Sequence, residues 1–156
     1  MQTFLPCSSY THSARVLDDK RLGKQRVECY QIARTLAGET NGWARHPAVM
    51  MWKGWEGDLL LYARLTCIEW KERGFQDTVS LKLRDLEGKY PELFYLKSED
   101  YPAWMIGTPF CSRHRAALLY KDFAHYSQFG WSEEPALDYW WPTKHLDEWK
   151  QSSQEA

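Results

Sequence analysis

The chain has 156 residues, enough for one domain with a substantial buried core. Its 20 basic and 21 acidic residues give a formal net charge of -1, which excludes a uniformly basic surface, so any contact with nucleic acid must come from a local patch. The nine Trp, nine Tyr and six Phe residues are numerous enough for some rings to line a surface or a pocket as well as the core.

The cysteine spacing and the hydropathy pattern indicate the cellular compartment of the protein. Cys7, Cys29, Cys67 and Cys111 are far apart, and no pair has the spacing of metal ligands. We therefore expect reduced thiols in a cytoplasmic protein with no metal and no cofactor. No basic region near the N-terminus precedes an apolar run, and no apolar stretch approaches the roughly 20 residues that span a bilayer, so we expect no membrane contact.

The first elements predicted are an extended lead-in and a long helix. Pro6 should keep residues 1–6 extended, and Thr11 or Ser13 is a candidate cap for a brief first turn. A helix is predicted from Leu17 to Leu36, with Gly38 after its end. Its buried stripe follows the helical period and consists of Leu22, Cys29, Ala33 and Leu36.

The polar face of this helix places one carboxylate, Glu28, among five donors. Residues three, four or seven apart share a face of a helix, so Arg21, Lys24 and Gln25 lie on the same face as Glu28. The donors Lys20 and Arg26 flank this face. Such a carboxylate stays ionised and can act as a base or stabilise positive charge, while the cations hold phosphate. The alternative is a solvated helix face joined by surface ion pairs.

Further helices are predicted along the rest of the chain. One long helix opens at His46-Pro47 and runs from Ala48 to Arg73, where Gly54 and Gly57 mark a bend or close packing. The shorter elements are a helix from Val79 to near Gly88 capped by Asp77 or Thr78, a structured loop from Tyr90 to Phe110, and a helix from a Ser112 cap to about Tyr126.

The last predicted helix carries a second group of basic and imidazole side chains. They are Arg113, His114, Arg115, Lys121 and His125, and they could converge with the first long helix on one cleft. A hydrogen-bonded structural role is the alternative for His114. The sequence then continues into an aromatic loop, Asp138 to Pro142, and residues 150–156 are expected to be a disordered tail behind a single domain of residues 1–149.

Five segments, in their order and spacing, carry a resemblance to a known family. They are MQTFLP, VLDDKRLGKQRVE, HPAVMMW, ERGFQDT and SRHRAALLYKD, and over roughly residues 1–142 the chain resembles the pyrimidine-dimer DNA glycosylases of the endonuclease V type, especially their small bacterial and phage branch. The resemblance implies an all-α fold: a compact single-domain helical bundle with an extended N-terminal segment that crosses between helices beside a glutamate on the first long helix.

The resemblance also implies a chemistry. In this family the N-terminal amine attacks the sugar carbon of a damaged nucleotide and forms a Schiff base, which permits base loss and then strand cleavage. An α-amino group has a pKa of about 8, so part of it is neutral and nucleophilic near neutral pH. Glu28 matches the family's glutamate, and Met1 is the corresponding amine here, because the large side chain of Gln2 favours retention of the methionine.

Two functions from different classes remain in view. The first is a DNA glycosylase and AP lyase acting on a damaged or modified pyrimidine in DNA, with Met1 and Glu28 as catalytic residues. The second is a non-catalytic protein that holds a nucleotide or nucleotide-derived signal in the equivalent cleft, and a structural helical domain is a third alternative. The expected substrate contacts are Lys20, Arg21, Lys24, Gln25, Arg26, His46, Arg113, His114, Arg115 and Lys121.

Overall fold

The computed structural model describes residues 1–97 and 101–155, and the regular structure of these residues is helical. The helices are α1 (Tyr10–Val16), α2 (Asp19–Leu36), α3 (Pro47–Met50), α4 (Glu56–Glu72), α5 (Val79–Lys89), α6 (Phe110–Lys121), α7 (Phe123–Tyr126) and α8 (Pro142–Glu155), with a 3-10 turn at Ser127–Phe129. The predicted all-α fold class is confirmed. Within the described ranges, no helix has the length and apolar content needed to cross a bilayer.

The core is centred on the packing of α2 against α4, with α1 against α4 and α5 against both. Helix α2 begins where the Asp18 side chain accepts the Arg21 N–H at 3.3 Å, which satisfies one of the free N–H groups of its first turn. The predicted stripe is buried at Leu22, Cys29 and Ala33, while Leu36 at the end of the helix is half-buried. Helical periodicity thus identified the face of α2 that meets the core.

The single long helix predicted from Ala48 to Arg73 is wrong, because the chain breaks between α3 and α4. Gly54 has a φ of 85°, a left-handed conformation that glycine adopts without steric cost. The Glu56 carboxylate accepts the Gly54 N–H at 2.9 Å and fixes the turn. His46, at the start of α3, accepts the Ala48 N–H at 3.0 Å in the position predicted for a helix start.

Other predicted boundaries also shift. Ser9 rather than Thr11 or Ser13 caps α1, by accepting the His12 N–H at 3.2 Å. Helix α6 begins at Phe110 directly after Pro109, so the Ser112 cap is wrong, and the chain leaves helical geometry at Asp122 before α7. The Asp77 side chain accepts the N–H groups of Val79 and Ser80 at 3.1 and 3.0 Å, as predicted for the start of α5.

The chain after α7 combines an irregular segment with a final helix. Residues 130–141 have no regular structure, and Trp140 in this aromatic segment is buried. The sequence predicts a disordered tail from residue 150, whereas residues 150–155 continue α8. Leu146 and Trp149 of this helix, which are three residues apart in the sequence, pack against the core. Of the loop predicted from Tyr90 to Phe110, residues 98–100 lie outside the described ranges, as does residue 156.

Gly57 generates a stability prediction. A Cβ at this buried position would lie 2.5 Å from the carbonyl oxygen of Tyr95, so Gly57→Ala must displace backbone and should lower the free energy of unfolding by about 1–3 kcal/mol in chemical denaturation. Gly88→Ala is the matched control, because a Cβ there meets no atom within 4 Å, and it should be neutral or stabilising by up to about 1 kcal/mol. Equal effects of the two substitutions would contradict the close approach.

Candidate active site

The first seven residues, which we call the N-terminal segment, run as extended chain through the middle of the molecule. Residues 2–6 are buried, and Leu5 is fully so, while Met1 and Cys7 at the two ends are partly exposed. An extended chain makes no hydrogen bonds within itself, and backbone N–H and C=O groups buried without partners are costly. Other parts of the protein must therefore supply those partners.

Side chains of α2 bind one edge of this segment. The Gln2 N–H donates to Oε2 of Glu28 at 3.2 Å. Nε2 of Gln25 donates to the Gln2 carbonyl at 3.0 Å, and Oε1 of the same side chain accepts the Phe4 N–H at 2.7 Å. The first peptide group of the chain thus lies against the Glu28 carboxylate, and the Met1 amine is one residue away from that contact.

Side chains of α1, α4 and α6 bind the rest of the segment. Nδ1 of His114 accepts the Leu5 N–H at 2.9 Å, and Arg115 donates to the Pro6 carbonyl at 2.8 Å. The Tyr62 hydroxyl donates to the Phe4 carbonyl, and Ser13 accepts the Cys7 N–H at 3.1 Å. Side chains from four helices therefore bind backbone groups of residues 2, 4, 5, 6 and 7.

The end of the segment opens into a pocket of about 350 Å³. Residues from the N-terminal segment, α2, α6 and the aromatic loop line it together: Met1, Gln2, Phe4, Lys20, Arg21, Lys24, Gln25, Glu28, Lys121 and Tyr139. Six of the predicted site residues on α2 and α6, together with Met1, therefore meet in one cavity, which joins the N-terminal end of the chain to the polar face of α2.

The charges in this pocket are unevenly placed. Glu28 is recessed, with 12% of its side chain exposed, and Lys24, which is 73% exposed, lies 3.7 Å from it at the mouth. Asp18 holds Arg21 at 3.2 Å. With Lys20 and Lys121, the pocket presents four side-chain cations around one carboxylate, an arrangement that attracts phosphate while it leaves a proton acceptor beside the chain terminus.

Five of the predicted substrate contacts lie outside this pocket: His46 and four residues on α2 and α6. Arg26 extends away from it, pairs with Asp77 and stacks on Trp70 with 4.4 Å between its guanidinium carbon and the ring centroid. Arg113 pairs with the exposed carboxylate of Asp138. Arg115 and His114 bind the N-terminal segment as described above, so their observed contacts are structural.

His46 lies beside the site rather than in the pocket wall. Its ring makes edge-to-face contacts with Trp43 and Trp141, at centroid distances of 5.8 and 6.0 Å. Burial, together with the nearby N-terminal amine, lowers the pKa of His46, and the charge of Glu28 opposes this effect. The charges of the amine and of Glu28 thus shift the pKa of His46 in opposite directions.

Sequence reasoning missed three residues that shape the site. Phe4 and Tyr139 form an apolar side of the pocket, and Tyr62 fixes the Phe4 carbonyl. Tyr139 belongs to the aromatic loop that the sequence did single out, but its contact with Phe4, at 6.4 Å between ring centroids, joins residues too far apart in the chain to be inferred from a local pattern. No group of three or more His, Cys, Asp or Glu side chains in the described ranges is arranged to hold a metal ion.

A family model described as pyrimidine dimer DNA glycosylase matches residues 1–83, which include the N-terminal segment, α2 and α4. The chain belongs to this family. Searches among curated proteins and among solved structures found no significant match.

Burial of His114 generates a prediction about pH. Its ring is fully buried and accepts a backbone N–H, and burial lowers its pKa to about 3 from the usual 6.5. Below about pH 6.5 the unfolded chain therefore binds a proton that the folded protein excludes, so this histidine lowers the free energy of unfolding by up to about 1.4 kcal/mol per pH unit as acid is added.

Denaturant titrations of the wild type and His114→Gln between pH 7.5 and 4.5 measure this contribution. Glutamine has no proton to gain, so the stability advantage of the wild type should be largest near neutral pH and should shrink below about pH 6.5. A difference that stays constant over the whole range would show that His114 titrates alike in both states.

Proposed function

We propose that this member of the family is a DNA glycosylase and AP lyase that acts on a damaged or modified pyrimidine through the Met1 amine and Glu28. Family membership supports the general glycosylase activity and DNA as the partner. The observation that carries the particular assignment is the 3.2 Å hydrogen bond from the Gln2 N–H to Glu28, because it brings the chain terminus and the recessed carboxylate into one pocket.

The proposed chemistry follows from the types of group present. The neutral Met1 amine attacks C1′ of the sugar, and the bond from C1′ to the base breaks with its electron pair passing to the base. Glu28 stabilises the positive charge that develops on the sugar and takes the proton that the attacking nitrogen releases. The C1′–O4′ bond then breaks as the nitrogen lone pair forms the Schiff base, and O4′ takes up the proton that Glu28 has accepted. The positive charge of the Schiff base favours transfer of the C2′ proton to the Glu28 carboxylate, and the 3′ phosphate leaves with its electron pair.

The surrounding side chains suit a nucleotide that has left its helix. Lys20, Lys24 and Lys121 are exposed at the mouth, where they can pair with phosphates that flank the damaged nucleotide. Phe4 and Tyr139 offer aromatic surface deeper in the cavity, which suits a base or its sugar. Charged and apolar parts of the pocket thus match the two parts of a nucleotide.

A non-catalytic nucleotide binder is the second candidate. The observation that favours it is the limited size of the pocket, about 350 Å³, in a chain whose formal net charge is -1. Such a cavity suits a single nucleotide, whereas a long basic groove is typical of extended contact with duplex DNA. Thymidine monophosphate is a suitable probe for this function.

Borohydride trapping tests the enzyme. The wild type, incubated with duplexes carrying a thymine dimer or an abasic site, should form a covalent adduct that mass spectrometry maps to Met1. Glu28→Gln keeps the size of the side chain but removes the base, and it should slow excision by at least about 100-fold while duplex affinity changes little. Glu72 is an exposed glutamate on α4, so Glu72→Gln is the matched control and should leave the excision rate and the duplex affinity unchanged.

Two outcomes would contradict the proposal. Full activity of Glu28→Gln would remove this carboxylate from the mechanism. Absence of any adduct on either duplex, combined with tight binding of thymidine monophosphate, would replace the enzyme by the nucleotide binder.

A further inference from the structure

The contacts of Gln25 differ from those expected of a substrate ligand. Its side chain faces the pocket but is 1% exposed as a residue. Both polar atoms of its carboxamide bind the N-terminal segment, Nε2 to the Gln2 carbonyl and Oε1 to the Phe4 N–H. We propose that Gln25 is a positioning residue: its carboxamide fixes the register of the N-terminal segment along α2 and thereby sets where the Met1 amine lies.

The argument for register depends on the two-residue repeat of extended chain. Residues two apart direct their N–H and C=O groups to the same edge, while the residue between them directs its groups to the other edge. The Gln2 carbonyl and the Phe4 N–H both meet Gln25 of α2. The Leu5 N–H meets His114 of α6, whereas the Phe4 carbonyl meets Tyr62 of α4. A single carboxamide can therefore bridge residues 2 and 4, as a neighbouring strand would.

A shift of the segment by one residue would break this arrangement. It would turn the groups of Thr3 towards Gln25 and would move the terminal amine by about 3.3 Å along the chain direction. Reacting atoms have to approach within about 3–3.5 Å for attack, so a displacement of this size removes the amine from the sugar carbon. The inference rests on the proposed function, since it assigns Gln25 a role in placing that nucleophile.

The chemistry of the carboxamide explains why a glutamine suits this position. The bridge needs one donor and one acceptor on the same planar group, which an amide provides and a carboxylate does not. A glutamate at this position would leave the Gln2 carbonyl without its donor and would bury a second charge one turn from Glu28. An apolar side chain of similar length would leave both backbone groups of the segment unpaired.

The experiment compares two aldehydes in reductive trapping of the wild type, Gln25→Met and Gln25→Glu. The first is the sugar aldehyde of an abasic-site duplex, which must meet the amine inside the pocket. The second is glyceraldehyde, a small molecule that reaches the Met1 amine wherever it lies. Gln31→Met is the matched control, because Gln31 is on the same helix with an exposed side chain. Circular dichroism and duplex affinity are measured on the same samples.

We expect both Gln25 variants to form the duplex adduct at least about tenfold more slowly than the wild type, with duplex Kd within about threefold and an unchanged rate with glyceraldehyde. Gln31→Met should match the wild type in every assay. Unchanged duplex trapping in Gln25→Met would overturn the inference, as would an equal loss with both aldehydes, which would indicate a general loss of structure or of amine reactivity.

Two further results keep the test decisive. If the wild type forms no adduct with the abasic duplex, the proposed function and the inference both fail. If the wild type does form the adduct, the proposed function stands, and the variants then test the role of Gln25. If neither Gln25 variant folds, amide hydrogen exchange of the wild type decides: the Phe4 amide should be strongly protected although it lies outside any helix, and rapid exchange would overturn the register.

Discussion

The structure depends on satisfying the backbone of an extended chain that is buried among helices. Residues 2–6 belong to neither a helix nor a sheet, so side chains supply the hydrogen bonds that a neighbouring strand would supply in a sheet. The Gln2 side chain accepts the Thr3 N–H at 2.9 Å, and most other partners come from helices whose positions are fixed by the core, so α2, α4 and α6 all direct polar side chains inward. The same bonds that prevent buried unpaired groups also hold the chain terminus beside a carboxylate.

This constraint divides the polar residues of the protein into two groups. Gln25, His114 and Arg115 bind backbone groups of the segment, and the first two are almost fully buried. Glu28 accepts one N–H of the segment with Oε2, but its other oxygen lies 3.7 Å from Lys24 at the mouth, where the lysines are exposed. Residues that look alike in the sequence therefore differ in role, because some support the N-terminal segment while others face the open pocket.

The sequence was informative wherever a local pattern decides the structure. The periodicity of Leu22, Cys29 and Ala33 predicted the buried face of α2, and the polar face that remained contains most of the pocket cations. The sequence predicted only a bend or close packing at Gly54, because the hydrophobic pattern of α3 continues into α4. The contact observed for His114 matches the structural alternative given for it, but its partner was not predictable, since Leu5 is 109 residues away and binds through a backbone group that has no sequence signature.

The order of the chain separates the proposed reacting groups from part of their surroundings. Met1 and Glu28 lie inside the segment matched by the family, residues 1–83, whereas Lys121 and Tyr139 reach the pocket from beyond it. A substitution in the second half can alter the shape or charge of the cavity without touching the amine, the carboxylate or the bonds from α2 that align them. The choice of ligand and the chemistry performed on it can thus change independently within one small domain.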